Sequence, residues 1–440
     1  MASRSRTLRP GYPPGVSVDP SWIFRTVTLV TMLFVPLLAW RMRGRVFAIF
    51  GFVALSMSLI GAWVTEVRLA SWAPPLWHTL ACLALTAGAA ASGLHYLHLV
   101  RARLRDRAFR FLVSIPGQVF VAASFMAAFW QLGLWPIRAL LGAAGLDAAV
   151  HAMRWLDLAP YALAVISVFT SVRRVIEWVR IPVFGAPSAG FERLPVVRVR
   201  RRQPPAPAQR PLRIVQISDP HLGPWMSVRR MQRTLERLLA YEPDLVLLTG
   251  DFLTMEGNAT SGALARALEP LEAVHERCFA IFGNHDHEAA DEVRSAFKAR
   301  NIRLLVDEEV VTETPIGPVQ IIGADYRRKD RREPLETLLA RHPRHENVPR
   351  LLLLHDPSAF KHVPDGQADL TLSGHTHGGQ IGLVSFGFDW TVLSRTRWPD
   401  HGLFAQGTNR LYVHRGTGFY GFPLRVGVPS ELSILELELI

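Results

Sequence analysis

The sequence predicts an α-helical multispan membrane domain followed by an α/β domain, on three observations. Residues up to about 180 hold about five long apolar runs. From Leu212 the pattern changes to short β-branched or leucine-rich runs alternating with helical segments. Each of those short runs ends in residues able to hold a metal ion. A chain of 440 residues is long for one domain, and its 49% hydrophobic content averages two unlike halves.

The apolar runs lie near 23–40, 46–64, 76–98, 111–135 and 157–172, giving a tail over 1–22 and a transmembrane domain over 23–180. About 20 apolar residues cross a hydrocarbon core of roughly 30 Å, so most of the runs are long enough. Arg25 interrupts the first and Pro160 stands near the start of the last. The first run begins late and is followed by others, which reads as a retained anchor rather than a cleaved leader. Segment 136–156, with Asp147, His151 and Arg154, reads as a connecting or interfacial helix. His78, His95 and His98 stand near run ends, a position that favours headgroup or polar-interface contacts over an intramembrane site.

Net charge is +12, much of it arginine clustered around the apolar runs. RMRGR (Arg41 to Arg45), RARLRDR (Arg101 to Arg107) and SVRRVIEWVR after the last run fall on one side if all five runs span. The positive-inside rule makes that side the cytoplasm and places the second half there, although Arg4, Arg6 and Arg9 argue the other way. No basic stretch is interleaved with stacking aromatics, so lipid headgroups suit the charge better than nucleic acid does. Cys82 and Cys278 are too few for a disulfide framework or a cysteine zinc site and read as small core residues. Residues 181–211 read as a basic, proline-rich linker, with a short strand from Val196 and with Arg200, Arg201 and Arg202 close to the bilayer.

In the second half, RIVQISDPHLG, DLVLLTGDF, CFAIFGNHD, RLLLLHDP and DLTLSGHTHGG read as buried strands, with helical periodicity in MQRTLERLLAYE and ALARALEPLEAV between them. In such α/β sheets, site residues gather beyond the carboxyl ends of strands. Here those ends supply Asp219 and His221, Asp251, Asn284 and His285, His355, then His375 and His377. Carboxylate, amide oxygen and imidazole without thiolate suit divalent Mn, Fe or Zn. The number of donors exceeds what one ion needs, which predicts two divalent metal ions, with Asp251 able to bridge them.

The ordered set DPH, GD, GNHD, H and GHTH resembles the calcineurin-like metallophosphoesterases. The likeness runs from Leu212 to the C-terminus, and GHTHGGQI with RGTGFYGFPLRVGVPSEL is similar to the bacterial branch that carries an apolar N-terminal section. The resemblance implies a phosphoesterase domain over 212–440 built from two facing mixed β-sheets flanked by helices, in a bacterial inner-membrane protein. It also implies that Asp219, His221 and His377 hold one ion, that Asn284, His355 and His375 hold the other, and that Asp251 bridges them. His285 would be left unliganded as the catalytic acid. GNHD in place of the branch's GNHE puts Asp286 after that histidine and leaves the ligands untouched, while Asp356 departs from the usual small or amide residue beside His355.

The expected reaction is hydrolysis of a phosphomonoester, phosphodiester or pyrophosphate bond by water made acidic between two cations. A membrane anchor points to a lipid-linked substrate, and the resemblance suggests UDP-2,3-diacylglucosamine. Hydrolysis of a soluble nucleotide or phosphoprotein stays open beside it, as does a non-catalytic metal-binding sensor. The insert from Leu383 to Phe404, with Phe386, Phe388, Trp390, Trp398, Arg395 and Arg397, reads equally as packing or as a lip touching substrate or membrane. Oligomeric state leaves no mark in the sequence.

Overall fold

The computed structural model describes residues 19–183, 187–199, 210–419 and 421–438. Its first half consists of α1 (Pro20–Arg43), α2 (Arg45–Ala70), α3 (Pro75–Leu99), α4 (Arg107–Ala143) and α5 (Asp147–Val172), each long and apolar enough to cross a membrane. Asp19 caps α1 by accepting from the Ser21 N–H at 3.0 Å, with Pro20 in the first turn where a missing N–H costs nothing. Leu33, Phe34, Phe52, Leu132 and Phe169 point outward and are exposed, the pattern of a lipid-facing surface. Small residues line the inner contacts. The Ser92 hydroxyl donates to the Gly117 carbonyl at 2.9 Å, and a Cβ on Gly61 would stand 2.0 Å from the Ser124 carbonyl oxygen, so α2 and α4 meet only because that position is glycine.

Segment 136–156 is not one connecting helix. Residues up to Ala143 continue α4 past Pro136, and Asp147 begins α5, which passes through a 3₁₀ turn at Met153–Leu158. Asp147 and His151 there are exposed, whereas Arg138 pairs with the buried Asp157 at 2.6 Å, and Gln131 donates to the same carboxylate at 2.9 Å. His78 lies 3.3 Å from Glu66, itself paired with Arg25 at 2.9 Å. His95 meets Gln118 at 3.0 Å. Both histidines therefore occupy polar helix interfaces.

Three strands follow α5: β1 (Arg174–Pro182), β2 (Ser188–Leu194) and β3 (Val197–Arg198). Then come β4 (Leu212–Ile217), α6 (Val228–Leu239), β5 (Leu245–Leu248), α7 (Ala263–Ala267), β6 (Cys278–Ala280), α8 (Ala290–Lys298) and β7 (Arg303–Leu304). The remainder holds β8 (Glu308–Thr314), β9 (Gly317–Ala324), α9 (Arg332–Arg341), β10 (Arg350–Leu354), β11 (Leu370–Ser373), β12 (Gly402–Gly407), β13 (Asn409–Val413) and β14 (Ser430–Glu438).

Two mixed seven-stranded sheets result, ordered β3-β1-β14-β4-β5-β6-β7 and β2-β12-β13-β11-β10-β9-β8. Ile214 and Leu247 from the first sheet share a core with Leu353 and Leu372 from the second, so the sheets face each other. On the outer faces, Val215 and Leu248 pack with Met231, Leu235 and Phe297 of α6 and α8, and Leu352 packs with Leu335 and Leu338 of α9. Strands covered on both faces need apolar side chains at every position, which is why these runs read as unbroken leucine and valine.

The expected linker from 181 is a correction. β1 runs parallel to β14 and β2 antiparallel to β12, so the two sheets recruit chain from Arg174 onward. Arginines within its described part find partners on the sheets: Arg193 pairs with Asp400, and Arg198 with Glu177 at 3.0 Å. Arg200, Arg201 and Arg202 lie outside the described residues.

The helices dock on the sheets through specific bonds. Leu104 N–H donates to the Thr260 hydroxyl at 2.8 Å, the Ser167 hydroxyl to the Pro423 carbonyl at 2.7 Å, and Arg425 N–H to Ser171 at 3.0 Å. Arg43 reaches the Leu99 carbonyl at 3.0 Å. The RMRGR turn, the RARLRDR segment and the exit from α5 thus share the end of the bundle that carries the sheets.

Candidate metal centre

β4, β5, β6, β10 and β11 run parallel within their sheets and end at one edge, where the expected residues come together. Asp219, His221 and His377 form one group, and Asp251, His355 and His375 a second, with the ligand atoms of each within 4.8 Å of one another. The His377 Nε2 lies 3.3 Å from Asp219 and 3.1 Å from the His221 Nε2. Asp251 Oδ2 stands between the groups, 3.3 Å from His355 Nε2 and 3.8 Å from His221 Nε2. Asn284 completes the second group through its Oδ1, 3.3 Å from His355 Nε2.

The local chain is bent to achieve this. Asp219, His221, Asp251, His375 and His377 all have positive φ, between 48° and 68°, a conformation that costs non-glycine residues energy and persists where the surroundings enforce it. Two glycines of the motifs are explained by space: a Cβ on Gly283 would lie 2.2 Å from Asp251 Oδ1, and one on Gly374 2.2 Å from Asp219 Oδ2. Further bonds hold the donors. His355 Nδ1 lies 2.6 Å from the Thr249 carbonyl, which directs Nε2 to the centre, and Asp219 accepts from His375 N–H at 3.0 Å.

The electrostatics ask for added positive charge. Burial drives His221 down to about 3, leaving a neutral imidazole with a lone pair to offer. Burial opposes charge on His355 too, yet the adjacent Asp251 and Asp219 carboxylates hold it up to about 10. A neutral His221, carboxylates held below their usual range, and a His355 that the same carboxylates keep protonated together mark a concentration of negative charge that fits a pair of divalent cations.

His285 stands outside both groups, its ring 5.7 Å from that of His221, and its Nδ1 is 3.1 Å from Glu288. It is therefore held by a carboxylate rather than left without a partner. Burial lowers its pKa, but Glu288 and Asp251 outweigh that and raise it.

Other residues of the site carried little sequence signal. Asp286, noted only as a departure from the branch pattern, is fully buried and accepts from the N–H groups of Asp251, Phe252 and Gly283 at 2.7, 2.8 and 2.8 Å. It fastens the Asp251 loop to the His285 loop, and burial and Asp251 push it up to about 7. Asp356 pairs with Arg331 at 2.7 Å and lies 3.8 Å from His375. Behind His377, buried Arg425 donates to the carbonyls of His377, Arg415 and Gly418 at 3.2, 2.6 and 2.7 Å. In the aromatic insert, Phe404 is buried in β12, whereas Phe386, Phe388, Trp390 and Trp398 are exposed, which favours a lip over packing.

Residues 212–379 match the model of the calcineurin-like phosphoesterase family. The chain is 30% identical over 232 residues to the phosphodiesterase YaeI of Escherichia coli, covering 52% of this chain and 82% of that one. It is 31% identical over 243 residues to the uncharacterized metallophosphoesterase YkoQ of Bacillus subtilis, covering 52% and 85%. A transmembrane protein with metallophosphoesterase domain from Danio rerio is 30% identical over 251 residues, 52% of this chain and 53% of that one. With two ligand groups set at the edge of paired sheets and five apolar helices ahead of them, the chain belongs to the calcineurin-like metallophosphoesterases, as a membrane-associated, metal-dependent phosphoester hydrolase.

Proposed function

We propose that the chain cleaves a phosphodiester, pyrophosphate or phosphomonoester bond of a lipid-linked substrate, with UDP-2,3-diacylglucosamine as the compound to test first. One observation supports this above the rest. A cavity of about 290 Å³ has His221 in its wall together with Phe50, Tyr96, Leu99 and Val121 of the helices. A phosphate at the centre would extend its remainder along apolar helix side chains rather than into water, which suits an amphiphile drawn from the membrane.

In this reading Asp219, His221 and His377 hold one cation, Asn284, His355 and His375 the second, and Asp251 both. When bound, the cations neutralise phosphoryl charge and acidify the attacking water. The protein's own part is orientation and proton transfer. His285, fixed through Nδ1 by Glu288, presents Nε2 as the proton donor to the leaving oxygen. Arg425 and Asp286 keep the His377 and Asp251 backbones in their strained positions. The three basic clusters on the sheet-bearing end favour a cytoplasmic catalytic half in a bacterial inner membrane.

The test is hydrolysis of a bacterial lipid extract by the full-length protein, read by mass spectrometry. Loss of a lipid phosphoester and appearance of its product is the expected result. Turnover confined to soluble nucleotides or phosphopeptides would replace the lipid reading. A C-terminal reporter active only outside the cytoplasm would overturn the placement.

A further inference from the structure

A second, larger cavity of about 730 Å³ lies beside the first, between the end of α3 and the starts of α4 and α6. It holds none of the candidate metal ligands. Eight of its nineteen lining residues are arginine, against one carboxylate, Glu256. That carboxylate is engaged, with His95 at 3.6 Å and Gln118 at 3.3 Å. Among the described residues, none of the eight arginines forms an ion pair.

So many guanidinium groups around one space repel each other, and the cost shows at the partly buried ones. Burial, then the neighbouring Arg230 and Arg237, lower Arg174 to about 10, and burial with Arg110 lowers Arg230. Internal bonds hold these two in place without neutralising them: Arg230 donates to the Trp225 and Val172 carbonyls at 3.1 and 2.6 Å, and Arg174 to the Thr234 hydroxyl. The N-terminus of α6, a twelve-residue helix capped by Ser227, adds its dipole to the same wall. Leu99, Leu104 and Phe109 supply an apolar side.

We infer that this cavity binds the phosphate headgroup of an anionic phospholipid, at a site separate from the metal centre. The chemistry demanded is that of a phosphate monoanion or dianion, because guanidinium groups bind phosphate oxygens through paired N–H bonds. The depth selects a lipid as its source. The cavity is bounded by the last turn of α3 and the first of α4, where the apolar helices end, so a headgroup there keeps its acyl chains along the bundle. A lipid so placed neutralises the arginines and ties the sheets to the helices.

The experiment uses the full-length protein in nanodiscs containing phosphatidylglycerol and phosphatidylcholine, with retained lipid counted by native mass spectrometry. Wild type is expected to keep phosphatidylglycerol over phosphatidylcholine by about tenfold or more, as for a desolvated phosphate site. Arg174→Gln/Arg230→Gln should abolish that preference. The exposed pair Arg107→Gln/Arg233→Gln, which makes no fold-critical bond, should reduce it several-fold. Arg41→Gln/Arg45→Gln, on the same membrane face but outside the cavity, should leave it unchanged. Preference surviving in both cavity variants, or lost equally in the Arg41/Arg45 variant, overturns the site. Displacement of the lipid by millimolar inorganic phosphate overturns the lipid as ligand. The readout is retention rather than turnover, so it stands or falls apart from the substrate reading.

Discussion

In the helical half, buried charge meets its opposite within the chain. Asp157 accepts from Arg138, Gln131 and Trp72, and Glu66 holds Arg25 and His78. At the edge of the sheets, more lone-pair donors converge than can satisfy one another: His221 and His377 place their Nε2 atoms 3.1 Å apart, with Asp219 and Asp251 close by. The first arrangement completes itself and is structural. The second is complete only with cations, and its surplus of lone pairs marks it as a place for ligands.

The largest expected effect comes from breaking the second arrangement at its middle. Asp251→Ala should lose bound metal and lower turnover of an aryl phosphodiester by roughly 1,000-fold or more, since the cations supply several kcal/mol. Elemental analysis and steady-state rates check it together. Full metal occupancy in that variant would break the contrast between self-contained and ligand-requiring clusters.

The self-contained arrangement predicts the reverse. Asp157→Ala strands the Arg138 guanidinium inside the bundle and should cost about 3–5 kcal/mol of stability. Metal content per folded molecule should not change. Thermal unfolding in detergent reads the loss, and a variant as stable as wild type would show that lipid or water serves Arg138 equally well.

The same contrast governs what the sequence could reveal. The metal groups were legible because each donor follows a strand whose apolar run is unmistakable, as in LVLLTGD and LLLLHD, and because adjacent strands of one direction deliver their ends to one edge. β1, β12, β13 and β14 were not read as strands. β1 and β14 carry Glu177, Arg180, Glu431 and Glu436 among their apolar residues, and only long-range pairs such as Arg415 with Glu177 and Glu431 make those charges tolerable inside. Their pairing joins residues more than 250 apart in sequence, beyond any local pattern. Asp286 was missed for a related reason, because its partners are backbone N–H groups that leave no sequence trace.

Within the centre, a histidine outside the ligand groups should behave unlike those inside them. His285→Ala should keep both metals and lower turnover by about 100- to 1,000-fold, the usual worth of a positioned proton donor. Loss of metal equal to that in Asp251→Ala would move His285 into the ligand set.

The smallest effect isolates the carboxylate behind that histidine. Glu288 holds the His285 Nδ1 at 3.1 Å and is itself steadied by Asn258 Nδ2 at 3.1 Å, so Glu288→Gln preserves an oxygen in place while removing its charge. An acceptor at Nδ1 fixes the ring proton there and leaves Nε2 to exchange a proton with the substrate. The charge adds preference for the imidazolium, the form that donates. Its removal should therefore lower kcat by about tenfold or less, with KM and metal content unchanged. A rise in KM at constant kcat would show instead that Glu288 shapes binding and that His285 needs no carboxylate. That outcome would make His285 independent of its carboxylate, and the difference between the two halves would then rest on the metal groups alone.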